Sequence, residues 1–285
     1  MGRRQGLSSE DGNVGLHVLM YIRHGLPKAF LLENVAQLGS AVRFRETFEL
    51  IMNFLTGIRG SDGQPYYDLH YKILNSKDYG TPQNRNRIYI VGLRGSRHPF
   101  LWPETETMPR LSLMLDGDPP ANPPQLPTTL TGLRNYLKCA QVLREQGLSL
   151  NAEAIGDLGS GFSGPGNVAI GYSPCLTKSR SEQNGYYCFS KRRFLTLSEY
   201  FRLQGIPPGR LSLPVGVTEA AARSMVGNSF TVSVVAKLID RMLYSISLTH
   251  HPVTCAPGSG SCGQRWPNQV SGNVSGRRKR PRPSD

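Results

Sequence analysis

The run Ala29-Phe30-Leu31-Leu32, followed at once by Glu33-Asn34-Val35, constrains this chain more than any other stretch. A short continuous apolar segment bounded by polar residues reads as a buried parallel strand, here residues 29–32. In open α/β sheets, ligands bind outside the carboxyl ends of the strands, so Glu33 is a candidate acid or base at such an end. A strand running into an ordinary polar turn fits the same residues. The rest of the chain has to decide between the two.

Around that strand the hydrophobic period alternates. Leu16, Leu19, Met20 and Ile22 make an apolar face and predict a helix over residues 15–25, stopped by Gly25 with Pro27 shortly after. Phe44, Phe48, Ile51, Met52 and Leu55 recur at helical spacing and predict a second helix over 44–56. Residues 59–67 carry turn signals. Residues 69–74 and 87–93 read as strands able to pair as a hairpin around residues 80–86. Helix, strand, helix, strand, strand is the order of the second half of a doubly wound sheet, with no strand ahead of it in residues 2–15.

Beyond residue 96 the character changes. Pro119, Pro120, Pro123, Pro124 and Pro127 cluster, and glycines crowd residues 156–171. Only residues 133–146 look helical, so residues 96–191 are expected to form a small irregular domain with long loops. Gly159-x-Gly161 has neither a strand before it nor a helix after it, which argues against a dinucleotide loop. Thr196 with Glu199 forms a capping-box signature for a helix over 196–204. Thr218 is placed to cap a helix over 219–225, Gly227-Asn228-Ser229 reads as a tight turn, and 230–246 as a long apolar helix. After Thr249 the composition turns to Gly, Pro, Ser and Arg, and disorder is expected.

Charge narrows the partners. Lys and Arg number 33 against 20 Asp and Glu, a formal net charge of +13, which points to a polyanion such as nucleic acid. The segment Arg277-Arg278-Lys279-Arg280-Pro281-Arg282 reads as a nuclear-localisation or nucleic-acid patch, or as a solvated end. The five cysteines form no disulfide framework. No apolar run approaches a membrane span and no signal-peptide pattern is present, so no membrane partner is expected. His250, His251, Cys255 and Cys262 match no common zinc spacing, and no metal site is expected.

A second stretch carries chemistry. In Gln83-Asn84-Arg85-Asn86-Arg87-Ile88 the two arginines alternate on the way into a strand, so both point to one face. Two guanidiniums on one face can clamp a carboxylate, a phosphate or a carbonyl, although an exposed basic strand end fits them too. The dipeptide Pro174-Cys175 is followed by Leu176 and lies in the irregular region, and is set aside.

Taken in order, Phe30 to Val35, Asp78 to Tyr89, Arg193 to Pro207 and Val226 to Ser229 resemble the motifs of the cytosine-5 DNA methyltransferase family. The resemblance runs from about Gly2 to Ile246, interrupted where that family carries its variable target-recognition region. It implies an α/β fold, an incomplete Rossmann-like methyltransferase domain with a small irregular target-recognition domain. Residues 1–95 would be the C-terminal part of the catalytic domain, 96–191 the recognition domain, 192–248 motifs returning to the catalytic domain, and 249–285 a disordered basic tail. The family adds a cysteine thiolate to carbon 6 of a cytosine rotated out of double-stranded DNA, and the activated carbon 5 takes a methyl group from S-adenosyl-L-methionine.

By that resemblance Glu33 hydrogen-bonds ring N3 and the exocyclic amine of the cytosine, Arg87 pairs with Glu33 and holds the cytosine carbonyl oxygen, and Arg85 lies near the base. Asn228 and Ser229 match a turn that contacts the cofactor, and Val14 stands where a leucine near the cofactor is usual. Arg193, Glu199, Arg202 and Gln204 match a motif that organises the second domain. The family's Pro-Cys-Gln nucleophile loop and its Gly-rich cofactor loop have no counterpart here. The chain is therefore expected to be N-terminally truncated relative to the family, with the nucleophile ahead of Met1 or on a complementing chain. A nucleus-located DNA methyltransferase homologue, inactive alone, is the leading expectation. A non-catalytic nucleic-acid-binding module and a tRNA cytosine methyltransferase are the alternatives.

Overall fold

The computed structural model describes residues 10–159, 164–207, 209, 213–248 and 264–265. Helix α1 (Glu10–Gly25) starts five residues earlier than its apolar face predicts and ends at Gly25 as expected. Strand β1 (Ala29–Val35) follows. A short turn of helix, α2 (Gln37–Ser40), leads to α3 (Arg45–Thr56). Strands β2 (Asp68–Asn75) and β3 (Asn86–Leu93) pair antiparallel as the predicted hairpin, with Leu74 opposite Arg87.

The expectation of a parallel β1 does not hold among the described residues. β1 pairs antiparallel with β3, Ala29 opposite Leu93 and Val35 opposite Arg87. The sheet order is β1-β3-β2-β8, where β8 is the short strand Gln264–Arg265. An apolar run reports burial, not the direction of its neighbours. β3 takes the central place because Ile88 through Leu93 are buried on both faces, whereas β1 buries only Phe30. Ile88 and Ile90 join Leu19, Ile22, Phe48 and Met52 in a core under α1 and α3. Tyr89, Val91 and Leu93 face the other way, onto Leu238 and Met242 of α8 (Val232–Ser245). Period-two alternation along β3 thus builds a three-layer unit.

Residues 96–191 are more regular than predicted. Helix α4 (Leu130–Glu145) is capped by Thr129, whose side chain accepts from Gly132 N. β4 (Ala154–Asp157), β5 (Val168–Ile170), β6 (Tyr186–Cys188) and β7 (Arg193–Phe194) form a second antiparallel sheet of order β5-β4-β6-β7. These strands are two to four residues long, too short for a period-two pattern to stand out. α4 covers one face through Cys139, Ala140 and Leu143. Short α5 (Lys178–Glu182) precedes β6. α6 (Leu197–Leu203) carries the capping box of Thr196 and Glu199 and packs, with Val226 of α7 (Glu219–Asn228), on the other face. Within residues 192–248, α8 and the following Ile246 pack on the first sheet.

Gly227 and Asn228 close the last turn of α7 rather than making a free turn. A Cβ on Gly227 would stand 2.6 Å from the carbonyl carbon and oxygen of Thr177. Both are backbone atoms, so a side chain there forces the segment before α5 away from α7. Gly227→Ala should lower stability by about 1–3 kcal/mol, read as a shift in the urea midpoint.

Residues 160–163 with Gly161, residues 249–263 with His250, His251, Cys255 and Cys262, and the basic segment 277–282 lie outside the described residues. Gln264 and Arg265, within the stretch expected to be disordered, pair with Tyr71 and His70 on β2. No helix among the described residues is long and apolar enough to cross a membrane.

Candidate active site

The end of β1 and the start of β3 lie side by side, and their register sets Glu33 opposite Tyr89 and Val35 opposite Arg87. Glu33 Oε1 sits 2.9 Å from Arg87 Nε and 3.9 Å from Arg85 Nη2. The structure therefore brings these three sequence-predicted residues together. The Glu33 oxygen is buried and lacks a well-aligned hydrogen bond, so its contact with Arg87 is an ion pair. Burial raises the Glu33 pKa above its ordinary 4.5, and the charges of Arg87 and Arg85 only partly oppose this. A carboxyl held toward its neutral form can donate a hydrogen bond as well as accept one.

The two arginines have different surroundings. The Arg85 side chain is 4 % exposed. Its Nη1 donates to Leu176 O at 2.7 Å and reaches Gly227 O at 3.4 Å, and its Nη2 donates to Ser229 O at 2.7 Å. It ties the loop before α5 and the end of α7 to the entrance of β3. Arg87, 14 % exposed, spends one donor on Asn86 O and turns its Nε toward Glu33.

The sequence alone assigns Gln83 no role. It is fully buried, donates to Leu203 O at 2.6 Å and Gln204 Oε1 at 3.0 Å, and accepts from Leu176 N at 3.1 Å. Gln204 in turn donates to Ser229 O at 2.8 Å. Gln83, Arg85 and Arg87 fall at every second position, and that spacing was the signal available for Gln83.

The same clamp carries Cys175 into the site. Ser173 N donates to Pro82 O at 2.7 Å and Asn84 N to Ser173 O at 2.8 Å, while the Tyr186 hydroxyl donates to Cys175 O at 2.7 Å. Cys175 Sγ lies 3.7 Å from both Arg85 Nη1 and Arg87 Nη2. The sequence leaves Cys175 out of the site, whereas the structure sets its sulfur beside both arginines. The chain separates it from the arginines by about 90 positions, and only the return of the second domain closes that gap.

The three positions matched to cofactor motifs are not brought together. Val14 is exposed on α1, which packs on α3. Asn228 is exposed at the end of α7, and the Ser229 carbonyl is taken by Arg85 and Gln204. The cavity that Ser229 does line, beside Phe201, Ile206, Leu213, Val217 and Met225, is apolar and offers no charged group. Val14, Asn228 and Ser229 do not by themselves compose a pocket for S-adenosylmethionine.

Among the described residues, Asp116, Asp118 and Glu199 bring three carboxylates within 4.8 Å of one another. Arg193 Nη2 bridges Asp118 at 2.8 Å and Glu199 at 2.9 Å, and Arg202 pairs with Asp116. Arginines already neutralise this group, which fastens α6 to the segment before α4.

Folding raises the Glu33 pKa above the value it has unfolded, so the folded chain binds that proton more tightly. The resulting stabilisation is fully present below pH 4.5 and is lost as pH rises through the folded value. Glu33→Gln should flatten that part of the stability–pH curve, checked by urea unfolding at pH steps from 4.5 upward.

The C-5 cytosine-specific DNA methylase family matches residues 1–244. Type II methyltransferase M.NgoBI of Neisseria gonorrhoeae is 33% identical over 237 residues, covering 81% of this chain and 66% of that protein. Type II methyltransferase M.HaeII of Haemophilus aegyptius is 28% identical over 249 residues, covering 87% and 70%. The chain thus spans about two thirds of the length of the relatives it matches. The methyltransferase EhMeth of Entamoeba histolytica superposes with a TM-score of 0.51 at 16% identity, covering 82% of this chain and 69% of that one. The Dnmt2 methyltransferase of S. pombe gives 0.50 at 17%, covering 84% and 74%. At such identities the two structures speak for the fold alone.

Proposed function

The chain belongs to the C-5 cytosine-specific DNA methylase family, and from that premise we propose that it supplies the cytosine-holding half of a DNA (cytosine-5-)-methyltransferase. C-5 DNA methyltransferases take their methyl group from S-adenosylmethionine. The observation that carries the reading is the ion pair of Glu33 and Arg87 at adjoining strand ends, with the carboxyl biased toward its protonated form.

A cytosine entering this cleft edge-on offers an acceptor at N3, a donor at the exocyclic amine and an acceptor at its carbonyl oxygen. Glu33 complements the first two and Arg87 the third. A proton shared from Glu33 to N3 draws electron density from the ring and makes carbon 6 open to a nucleophile. Arg85 is a positioning residue, because its Nη1 and Nη2 donate to backbone carbonyls of two other segments. The thiol and the methyl-donor site are assigned to the third of the relatives' length that this chain's residues do not span, whether it lies ahead of them or on a complementing polypeptide. The net charge of +13 suits a duplex DNA partner.

The test mixes the purified chain with a polypeptide carrying those missing motifs and supplies S-adenosylmethionine with a labelled methyl group. Label should enter 5-methylcytosine in duplex DNA only when both polypeptides are present. Label entering transfer RNA in preference to DNA would replace the DNA reading with the RNA one. A chain that binds neither nucleic acid would overturn the proposal.

A further inference from the structure

Cys175 stands in the segment between β5 and α5, with its sulfur against the cluster of Glu33, Arg85 and Arg87. Two guanidiniums and one carboxylate leave this cluster with an excess of positive charge, and both guanidiniums turn a nitrogen toward the sulfur. Arg85, 4 % exposed, aims Nη1 there and keeps a buried Nε without any hydrogen-bond partner. Cys175 itself is only partly buried. Thiols that exchange sit in partly exposed, electropositive surroundings, whereas thiols sealed in apolar cores are inert. Cys139 and Cys188 are of the second kind. Both are fully buried, and burial pushes the Cys139 thiol up to about 12 and raises that of Cys188.

We propose that Cys175 is a covalent modification site, taking up half of an anionic low-molecular-mass disulfide of the glutathione type to form a mixed disulfide beside Arg85 and Arg87. In the exchange the Cys175 thiol loses its proton and its sulfur attacks one sulfur of the reagent. A new sulfur–sulfur bond forms, the reagent's own bond breaks, and its other half leaves as a thiolate that takes up the proton. The carboxylates of the bound half answer the excess positive charge. The adduct occupies the space in front of Arg87, so it competes with whatever Glu33 and Arg87 hold. This consequence rests on the function proposed above, whereas the thiol chemistry does not.

The test uses the full chain, reduced and native, at neutral pH with glutathione disulfide, and follows each cysteine by peptide mass mapping. Cys255 and Cys262 are read on their own peptides. Cys175 should be modified at least about tenfold faster than Cys139 or Cys188, and dithiothreitol should reverse it. Arg87→Ala should slow the reaction with glutathione disulfide more than the reaction with the neutral disulfide of 2-mercaptoethanol. If Cys175 stays unmodified under conditions that modify every cysteine of the urea-unfolded chain, the site does not exist. Equal rates at Cys175 and the two buried cysteines would overturn it as well. In gel shifts, the modified chain should bind cytosine-bearing duplex about tenfold more weakly, and the affinity of Cys175→Ser, whatever its starting value, should not respond to the reagent. A reduced chain that binds no DNA would defeat the proposed function, and the mapping result would then decide this inference alone.

Discussion

Glu33→Gln, in the enzyme completed with the motifs this chain's residues do not span, should cut methyl transfer by about 10²–10⁴-fold, the usual contribution of a positioned acid or base. The substitution preserves size and the ability to accept from an exocyclic amine. It removes the acidic proton whose uptake burial favours at Glu33. DNA affinity should change little, because most of it comes from phosphate contacts. The active form of Glu33 is the protonated one, so the transfer rate should fall as pH rises through its raised pKa, and this limb should vanish in the variant. Single-turnover transfer beside gel-shift affinity separates the two effects. Full transfer by Glu33→Gln would remove Glu33 from the chemistry.

How much of this was legible in the chain depends on the distance over which each feature is determined. The Glu33 strand end, the β2–β3 hairpin and the caps at Thr196 and Thr218 depend on a few neighbouring residues, and local pattern was enough to read them. Strand direction in β1 was not legible, since the same apolar run serves a parallel or an antiparallel neighbour. The second sheet escaped because its strands are too short for alternation and lie among prolines and glycines. Gln83 and Cys175 escaped for another reason. Gln83 finds Leu203, Gln204 and Leu176 roughly 90 to 120 positions away, and Cys175 finds Arg85 and Arg87 at a similar remove. No window of neighbouring residues contains both members of such a pair. Resemblance to a family supplied roles for Glu33, Arg85 and Arg87, but it carried nothing about a thiol at position 175.

The same contrast divides the two arginines that sequence treated as a pair. Arg85→Ala should destabilise the fold by about 3–5 kcal/mol, because it strips a buried cation, takes the 2.7 Å donor from the Leu176 carbonyl and leaves the Ser229 carbonyl with Gln204 alone. Lysine should not rescue it, since one ammonium cannot span acceptors that sit on two separate segments. Arg87→Ala should cost about 1 kcal/mol or less. Its main partner is Glu33, and a buried carboxyl that loses its counter-charge can take up a proton rather than remain ionised. Urea unfolding of the two variants, read beside their affinity for cytosine-bearing DNA, distinguishes a residue that holds the second domain in place from one that holds the base. Arg85→Ala with unchanged stability but lost affinity would make Arg85 a ligand of the substrate, and the carbonyl clamp would then be incidental to its role.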